Sequence, residues 1–582
     1  MAKYIDRLRK CTCIADLVSE FKLKVTAKEF GYVVYHLSDD LKYEEFDIPK
    51  KNGTLRRIHS PKPTLKYIQK EFSLIIFNCI NEIRLDNANY LACNHAFERD
   101  KSILSNADLH KNKKFILNID IKDFFDSIHY GRIKGFLAND SHFKLNEKVS
   151  QIIARLATYH KILPQGSPLS PILATLIGNI MDVRFLKLAK KYRFTYSRYA
   201  DDITLSSNKA FDKNIVYWCE NNKKWVAGEI VINILTDSGF TINSEKTRVS
   251  YSNDRQTVTG IVVNKQRNVT LEYRRTNRSM VYSLLSTGSF RLNDNVGKIT
   301  QLMGRLNHSI YIKYYDSKFS IPLDMNERIK YKEKKQKELI KIINDNWKSD
   351  KNNITCADHQ MKLLRSVIYF KYIINVDQTT IFPEGFTDPI YFSSAKEKLN
   401  INSNIKFQKI NNGLKKIGLL GCASSVNTFI HNVKEKIDKF ISYKQIGVIP
   451  KHPVIFILDY DDGLDDCRFI LDKIQIDQQY VFIRDNIYVL LLEPKGKSKN
   501  HHKTIENMSC IENLISFEGN RIEAVQGKKE YINFKGIEFK KGSFANYVKE
   551  HSSDFDYSGF DKIFKKITEI EEDYAKRMIT NA

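Results

Sequence analysis

Apolar residues in the first 85 positions recur with two different periods. Over residues 1–45 and again over 62–85 they follow helical spacing, which predicts several short helices and then a longer one. Between these stretches, residues 46–60 alternate apolar and polar side chains on both sides of Asn52-Gly53. An Asn-Gly pair between two alternating runs is a strong hairpin signal, so the sequence predicts two strands that meet there.

Two later strand-like segments carry acidic residues. The apolar run 115–120 (FILNID) predicts a buried strand that ends at Asp120. Residues 195–206 (TYSRYADDITLS) predict two short strands joined by a tight turn at Asp201-Asp202. Acidic side chains are therefore expected at one strand end and on one turn.

The second half of the chain shows a different pattern. Helical spacing dominates to about residue 350 and ends in a Lys-rich helix. Strand-like and helical runs then alternate, with strands expected at 371–382, 453–458 and 486–492 and helices at 389–399 and 424–440. This alternation predicts a small α/β domain with a mainly parallel sheet.

The positive charge of the chain is concentrated in its first part. The formal net charge is +25, with 59 basic and 38 acidic residues in 1–350 but 34 and 30 in 351–582. A basic surplus of this kind points to a polyanionic partner, most simply nucleic acid. A basic surface without a ligand is the alternative on charge alone.

Cysteine spacing and apolar runs exclude several classes of protein. The nine cysteines include no Cys-x-x-Cys pair and no Cys/His cluster with zinc spacing, so neither a disulfide framework nor a zinc site is expected. No uncharged apolar run approaches the ~20 residues of a membrane helix, and the N-terminus lacks the apolar core of a signal peptide. The sequence predicts a cytoplasmic protein that has no membrane partner.

The acidic residues of the first half indicate a metal site. Neighbouring carboxylates repel one another, and a divalent cation removes that cost. Asp120, Asp201 and Asp202 could together hold two Mg²⁺ ions about 3.5–4 Å apart, one activating a hydroxyl and the other steadying a leaving pyrophosphate. For Asp201-Asp202 taken alone, ordinary turn chemistry is the alternative.

Five segments resemble the motifs of reverse transcriptases in their amino-acid sequence and in their order along the chain. They are 48–58 (IPKKNGTLRRI), 118–125 (NIDIKDFF), 163–171 (LPQGSPLSP), 199–202 (YADD) and 239–247 (GFTINSEKT). The resemblance implies a right-hand polymerase fold with fingers, palm and thumb, and DNA synthesis from dNTPs on an RNA template. It implies metal binding by Asp120, Asp201 and Asp202, proton donation to pyrophosphate by Lys246, and contacts with the nucleotide and template by Lys50, Lys51, Arg56, Gln165 and Gly166.

The same resemblance implies a sugar-selecting role for an aromatic residue. Phe125 lies five residues after Asp120, where the family places a ring under the sugar. A bulky ring there would clash with a 2′-hydroxyl and select dNTPs. An ordinary core phenylalanine is the alternative.

Two further segments resemble features of retron reverse transcriptases. SNADLHK contains Asn106 and His110, and TVTGIVVN contains Val258-Thr259-Gly260. The resemblance implies that these residues recognise a cognate structured non-coding RNA, part of which is copied into a branched RNA–DNA molecule (msDNA). Taken alone, the first segment could be a helix cap with a hydrogen-bonded histidine and the second a strand end. Another bacterial defence reverse transcriptase is the alternative, and a group II intron protein is disfavoured because no zinc-finger or His-Asn-His pattern follows.

The second half resembles a TOPRIM domain in two segments. Residues 379–395 and 453–463 match its two signatures, a Glu after the first strand and an Asp-x-Asp after a later one. Here these acids are Glu384, Asp459 and Asp461. The resemblance implies a second Mg²⁺ site for phosphodiester chemistry, since carboxylates at the ends of parallel strands project into one crevice.

Other residues extend the TOPRIM resemblance. Gly385 and Asp388 complete a Glu-Gly-x-x-Asp motif, and Glu512 is a candidate additional acid. A solvated acidic turn after a core strand is the alternative for 459–463. The TOPRIM resemblance does not extend to residues 516–582, whose role the sequence does not indicate.

These features predict an α+β right-hand polymerase followed by a small α/β TOPRIM domain with a mainly parallel sheet. The expected divisions are a reverse transcriptase at 1–325 (fingers and palm to about 264, thumb 265–325), a Lys-rich helical linker at 326–369, a TOPRIM-like domain at 370–515 and an extension at 516–582. The expected function is a retron RNA-directed DNA polymerase with a fused TOPRIM nuclease effector in antiphage defence, restrained by its msDNA product as in a toxin–antitoxin pair. An RNA-binding scaffold with an inactive TOPRIM module is the alternative, and homo-oligomerisation and the nucleic-acid target of the TOPRIM domain are left open.

Overall fold

The computed structural model describes residues 3–49, 53–99, 101–315, 334, 337–338, 340–341, 358–401, 403–442, 446–460, 470, 474, 479–493, 510–522, 524–525 and 528–581. Of these, the residues up to Thr270 form one compact unit, and Leu271–Tyr315 together with the later residues form a second. Within these ranges, no helix has both the length and the apolar character needed to span a membrane.

The first unit combines short N-terminal helices, two long helices and an antiparallel sheet. Its helices are Tyr4–Lys10, Ile14–Glu20, Ala27–Gly31, Asp39–Lys42, Pro63–Asp86, Ile103–Leu109, Tyr130–Asn139, Glu147–Ala157, Ser170–Tyr192 and Glu229–Asp237, with a π-helical turn at Tyr32–His36 and a 3-10 turn at Ser244–Lys246. Its strands are β1 (Tyr43–Pro49), β2 (Leu55–Pro61), β3 (Phe115–Lys122), β4 (Thr195–Tyr199), β5 (Asp202–Ser207), β6 (Val216–Cys219), β7 (Lys224–Ala227), β8 (Thr241–Ile242), β9 (Arg248–Tyr251), β10 (Thr257–Val258) and β11 (Ile261–Val262).

The central sheet of the first unit has β3 in its interior. The strands run in the order β4-β5-β3, and β8 and β9 pair with the other edge of β3. Leu117, Ile119 and Ile121 are at most 1% exposed, as expected for an interior strand read as an apolar run. Because side chains alternate between the two faces of a strand, Asn118 and Asp120 share the opposite face. The predicted strand at 115–120 is confirmed, and it positions Asp120.

Two long helices complete the core of this unit. The first buries Ile68, Phe72 and Ile76 on a stripe with helical spacing, and the second buries residues such as Leu176 and Ile177. All belong to one apolar cluster with the residues of β3. The predicted hairpin before the first long helix is also confirmed, because β1 and β2 pair antiparallel throughout their length.

The second unit is built around a separate sheet. Its strands are β12 (Arg291–Leu292), β13 (Asn295–Val296), β14 (Thr379–Pro383), β15 (Ile405–Phe407), β16 (Val454–Leu458), β17 (Tyr480–Arg484), β18 (Ile487–Leu491), β19 (Ser516–Phe517), β20 (Asn520–Arg521), β21 (Ala524–Val525), β22 (Lys528–Phe534) and β23 (Ile537–Lys540). Its helices are Leu271–Thr287, Ile299–Tyr314, His359–Tyr369, Asp388–Lys398, Asn412–Lys415, Ala423–Glu435, Ile437–Phe440, Lys541–Glu550 and Asp561–Asn581, with a π-helical turn at Phe370–Ile374 and 3-10 turns at Ile511–Leu514, Ser552–Asp554 and Ser558–Phe560.

The larger sheet of the second unit is mainly parallel, as the alternation of elements predicts. Its order is β15-β14-β16-β18-β17, and β17 is antiparallel to β18 while the other pairings are parallel. Side chains of β16 alternate between two cores: Val454 and Phe456 face the cluster that contains the helix His359–Tyr369. Ile455 and Ile457 face the cluster that contains the C-terminal helices. The described residues of the extension 516–582 therefore cover one face of this sheet.

The structure differs from the pattern-based expectation in three local places. The β4–β5 turn consists of Ala200-Asp201, because Asp202 already pairs with Tyr199. Residues 371–374 are π-helical rather than part of a strand, since their apolar run packs as a continuation of a helix. Helices are expected from the sequence after residue 206, but the structure also has the short strands β6–β11 there. These strands are too brief to show a period of two in the sequence.

The compact units also divide the chain differently from the expected domains. The helices Leu271–Thr287 and Ile299–Tyr314, expected to be a thumb, share an apolar cluster with the helix His359–Tyr369, expected to be linker. Most of the Lys-rich stretch 328–350 lies outside the described residues.

Candidate active site

Three acidic residues meet at one end of the central sheet. Asp120 on β3 is directly opposite Asp202 on β5. The Ile121 N–H donates a hydrogen bond of 3.0 Å to the Asp201 carbonyl, which holds the β4–β5 turn beside β3. Ala200 takes φ 56°, a left-handed conformation that is costly for a residue with a side chain. The structure thus brings together the three predicted carboxylates and keeps their turn in an uncommon conformation.

Burial and neighbouring negative charge raise the pKa of Asp201 and of Asp202. Burial, followed by the charges of Asp201 and Asp120, raises the pKa of Asp202 to about 6. Burial also raises the pKa of Asp201, with a contribution from Asp120, while the charges of Lys246 and Arg56 lower it. A carboxylate whose charge is disfavoured by its neighbours gains from a cation, so the site favours binding of positive charge.

Lys246 supplies one such charge. It ends the 3-10 turn after β8, and its ammonium contacts the two carboxylate oxygens of Asp120 at 2.9 and 3.1 Å. This hydrogen bond raises the pKa of Lys246, so the amine stays protonated. The Asn243 side-chain amide donates to the same carboxylate at 3.1 Å.

The donor chemistry of the three acids fits Mg²⁺, which prefers carboxylate oxygens. In this conformation, no three His, Cys, Asp or Glu side chains among the described residues are grouped so that they could hold a metal ion as they stand. The Lys246 ammonium instead neutralises Asp120. The fit therefore rests on the shared position and mutual repulsion of Asp120, Asp201 and Asp202.

The predicted nucleotide-binding loop packs against β2. The His59 N–H donates a hydrogen bond of 2.8 Å to the Gln165 carbonyl. Gly166 takes φ 126°, and a Cβ at this position would lie 2.5 Å from the His59 carbonyl oxygen. Only glycine permits this approach, so Gly166 keeps the loop and β2 in register.

Arg56 is exposed on β2 and close enough to Asp201 for its charge to lower the pKa of that carboxyl. This places a cation of the hairpin near the acidic site. Lys50 and Lys51 lie outside the described residues.

Phe125 is half-buried at the edge of the core. Its ring packs edge-on against Phe124 (centroids 5.6 Å apart) and Phe97 (6.1 Å). Phe124 is the fully packed member of the pair, at 4% exposure. A role for Phe125 in sugar selection stays a prediction.

The motif Asn106-x-x-x-His110 lies inside the protein. Both side chains are 0% exposed. The Ser197 hydroxyl donates to Asn106 Oδ1 at 2.5 Å, so it can only accept from His110 Nε2–H, which lies 2.7 Å away. His110 Nδ1 then accepts from the Ser206 hydroxyl at 2.7 Å. Burial lowers the pKa of His110 to about 3, which keeps the ring neutral.

These contacts correct the expectation that Asn106 and His110 touch RNA. His110 bridges β4 and β5 through Ser197 and Ser206, and Asn106 is bonded to Ser197. Neither side chain is exposed to a ligand. The helix Ile103–Leu109 that carries Asn106 packs against β10 and β11. The two retron-like segments are therefore neighbours.

Val258 is also fully buried, at 0% exposure, which excludes direct RNA contact by its side chain. Thr259 and Gly260 form the turn between β10 and β11 with φ 46° and 81°. A β-branched residue rarely adopts this conformation, and the exposed Gly260 is the part of the segment that a ligand could reach.

A buried ion pair that the sequence did not reveal supports the Ala200-Asp201 turn between β4 and β5. Arg198 precedes the YADD segment, is 1% exposed, and contacts both carboxylate oxygens of Asp182 at 2.8 and 2.7 Å. It also donates to the Ala200 carbonyl at 3.2 Å. Burial lowers the pKa of Arg198, but the Asp182 charge outweighs it and raises the pKa above its ordinary value. Gly178 makes room, since a Cβ there would lie 2.7 Å from the guanidinium.

Two acids meet at the edge of the parallel sheet in the second unit. Glu384 follows β14 and Asp459 follows β16, and these strands are parallel neighbours. The Glu384 carboxylate accepts from the Asp459 N–H at 3.2 Å and from the Ala423 N–H at 3.0 Å. It therefore caps the helix Ala423–Glu435 as well as facing Asp459. Asp461 lies outside the described residues.

Further charged residues adjoin this acidic pair. Asp388 accepts a hydrogen bond of 2.7 Å from the Gly385 N–H, and burial and the charge of Glu512 raise its pKa to about 7. Glu512 is 3% exposed and pairs with Lys541 at 2.9 Å. Lys541 comes from the extension, 29 positions after Glu512, so sequence spacing gave no signal for it.

Comparison with known proteins gives the same assignment for the first unit. The profile of the family described as reverse transcriptase (RNA-dependent DNA polymerase) matches residues 48–273. The chain is similar to the Retron Mx162 reverse transcriptase of Myxococcus xanthus, with 32% identity over 262 residues that cover 42% of this chain and 52% of that protein. It is similar to the Retron Ec86 reverse transcriptase of Escherichia coli, with 32% identity over 247 residues that cover 42% of this chain and 69% of that protein.

The matched segment spans only about half the length of some of these relatives, namely 52% of the Mx162 protein and 55% of the Retron Mx65 reverse transcriptase. Among solved structures, telomerase from Candida albicans with a fragment of telomeric RNA is similar at 15% identity and a TM-score of 0.30, over 61% of this chain and 65% of that one. A similarity of this size carries no argument. With the five motifs, the acidic site and the Ec86 match, the chain belongs to the retron reverse transcriptase family.

Proposed function

We propose that this protein is an RNA-directed DNA polymerase that copies part of a cognate structured non-coding RNA into msDNA, using dNTPs. The observation that carries the proposal is the meeting of Asp120, Asp201 and Asp202 at one end of the central sheet, with Lys246 on the Asp120 carboxylate. Phosphoryl transfer needs positioning and charge stabilisation more than covalent chemistry. The acids and Lys246 at this end of the sheet can supply positioning and charge stabilisation.

Each residue of the site has a role in that reaction. Asp120, Asp201 and Asp202 would hold Mg²⁺, which when bound offsets the negative charge of the phosphates and favours the ionised primer hydroxyl. Lys246 holds a proton that it can give to the leaving pyrophosphate. Arg56, whose charge lowers the pKa of Asp201, would bind the triphosphate together with Lys50 or Lys51.

The retron-like motifs act in this proposal through the catalytic turn. His110 links β4 to β5 through Ser197 and Ser206, and Asn106 is bonded to the same Ser197. Thr259-Gly260 is the reachable part of the second motif. In this proposal the Thr259-Gly260 turn contacts the RNA. Val258, just before that turn, lies on a strand that packs against the helix carrying Asn106. The proposed place of the reaction is the cytoplasm.

The retron assignment is tested by the nucleic acid that copurifies with the protein. Expression with its native flanking locus should give one small branched RNA–DNA species, and sequencing should map both strands to the same non-coding RNA. Debranching of the 2′,5′ bond should release a DNA of defined length. Unbranched DNA of mixed sequence would contradict msDNA synthesis and favour another kind of defence reverse transcriptase.

A second candidate function is a TOPRIM nuclease that acts as an antiphage effector and is restrained by the msDNA. Support comes from Glu384 and Asp459 meeting at the ends of parallel strands, with Asp388, Glu512 and Lys541 beside them. Glu384 and Asp459 offer the oxygen donors that Mg²⁺ prefers, and Asp461 would add a third. Bare carboxylates repel a phosphodiester, so this site needs a cation for such a substrate.

Phage protection tests the effector. Glu384→Gln removes the charge but keeps an oxygen for the Ala423 N–H, so the helix cap survives. We expect this variant and Asp459→Asn to make msDNA but lose protection, whereas Glu397→Gln on an exposed helix surface keeps both. Protection by the two site variants would leave the second unit as a binding module.

A further inference from the structure

The β6–β7 hairpin carries part of a row of aromatic rings, and its Lys224 pairs with Glu245, the neighbour of Lys246, at 2.7 Å. In the chain it follows the β4–β5 hairpin and precedes the helix Glu229–Asp237, and Trp218 is directly opposite Trp225. Their centroids are 5.5 Å apart, Trp225 lies 6.4 Å from Tyr251, and Tyr251 lies 5.5 Å from Phe115. We call these four residues the aromatic row.

The outer part of this row is more exposed than core packing requires. Val216 and Ala227 at the base of the hairpin are 4% and 3% exposed, and they anchor it to the core. Trp218 near its tip is 43% exposed and Tyr251 is 38% exposed. Two of the three tryptophans of the chain are on this hairpin. Large exposed rings in a row mark a binding surface more often than a solvated one.

The surroundings of the aromatic row are basic. The segments that contain or adjoin the row in sequence or pairing are 111–115, 209–213, 219–225 and 248–255, and together they contain nine Lys and Arg against three Asp and Glu. One of the nine, Lys224, is paired with Glu245 at 2.7 Å. Lys223 lies at the exposed tip of the hairpin, and Lys114 precedes Phe115 on β3. Aromatic faces next to a cationic surface are the features that bind single-stranded nucleic acid, because bases stack on rings while lysines meet phosphates.

We propose that the aromatic row binds an unpaired segment of RNA. RNA is favoured over DNA because a polymerase makes its DNA paired with the template, so the unpaired bases near the protein belong to the RNA. This choice of strand rests on the proposed polymerase function. The hairpin would then hold single-stranded regions of the structured RNA through rings that are not part of the acidic site.

A pair of variants separates stacking from simple apolar contact. Trp218→Leu keeps an apolar side chain but removes the ring, and Trp218→Phe keeps a ring. Fluorescence anisotropy of the full chain with a labelled, unstructured A-rich 12-nucleotide RNA should show at least about fivefold weaker binding for Trp218→Leu and near wild-type binding for Trp218→Phe. Lys223→Gln should lower the slope of log affinity against log salt by about 0.7. RNA should also quench wild-type tryptophan fluorescence.

Equal binding by Trp218→Leu and the wild type would overturn the proposal. Equal affinity for duplex RNA would overturn stacking, because paired bases hide their faces, and preference for DNA of the same sequence would overturn the choice of RNA. Primer extension on a fully paired short template, measured beside binding, separates this site from catalysis. On that template Trp218→Leu should extend the primer as the wild type does. If the wild type itself does not extend the primer, the polymerase proposal is contradicted instead.

Discussion

The Arg198–Asp182 pair allows stability and catalysis to be separated. In Arg198→Met, the Asp182 carboxylate keeps only the Tyr196 hydroxyl, 2.6 Å away, among the partners seen here, and it is 0% exposed. Removing one partner of a buried ion pair costs about 3–5 kcal/mol. For a unit of this size that corresponds to a melting temperature lower by about 6–20 °C.

Replacing both partners should restore stability without restoring the turn. Arg198→Met with Asp182→Leu leaves no buried charge, and such apolar replacements are often neutral or stabilising. The Ala200 carbonyl still lacks the donor that Arg198 supplies at 3.2 Å. Loss of one such hydrogen bond is about 1–1.5 kcal/mol, so we expect about a tenfold lower rate of nucleotide addition.

The assay combines thermal unfolding with primer extension at saturating dNTP. Lys191→Met is the matched control, because Lys191 is exposed on the helix Ser170–Tyr192 that also carries Asp182. This variant should behave as the wild type. The reasoning is refuted if Arg198→Met melts within about 2 °C of the wild type. It is refuted equally if the double variant regains both stability and full rate.

Three further predictions concern single side chains. Phe125→Val should admit ribonucleotides at unchanged dNTP incorporation in primer extension, while equal loss of both would make Phe125 a core residue. Burial lowers the pKa of His110 to about 3, whereas the unfolded value is about 6.5. The neutral buried ring therefore contributes fully to folding stability above pH 6.5, and the free energy of unfolding decreases as the pH falls below that value. At pH 4.5 the decrease is about 2–3 kcal/mol. Thermal unfolding should show that His110→Gln weakens this pH dependence, and an unchanged profile would contradict it. Lys541→Ala should lower the melting temperature of the second unit by leaving Glu512 without its cation, and Lys541→Arg should restore it; equal melting of both variants would count against the pair.

Local signals explain what the sequence predicted correctly. The β1–β2 hairpin and strand β3 were predictable because alternation and apolar runs are properties of consecutive residues. The turn of the catalytic hairpin was misplaced by one residue, because either Ala200-Asp201 or Asp201-Asp202 satisfies the same pattern. Positions of Asp120, Asp201 and Asp202 nevertheless followed from the motifs.

Contacts between distant elements explain what was missed. The retron resemblance assigns Asn106 and His110 to RNA recognition, and their spacing alone does not reveal that both side chains are buried. Arg198 and Asp182 belong to a strand and a helix whose packing is set by the whole fold. Lys541 reaches Glu512 only because the extension covers the parallel sheet.

The most direct test of the polymerase claim is Asp201→Asn together with Asp202→Asn. These substitutions keep side-chain shape and remove two of the charges that favour a cation, while leaving basic contacts with RNA phosphates in place. The measurement is primer extension on the cognate RNA with Mg²⁺ and dNTPs, beside RNA affinity under the same conditions. The account predicts RNA binding within about twofold of the wild type and no DNA product. DNA synthesis above a few per cent of the wild-type rate would contradict it.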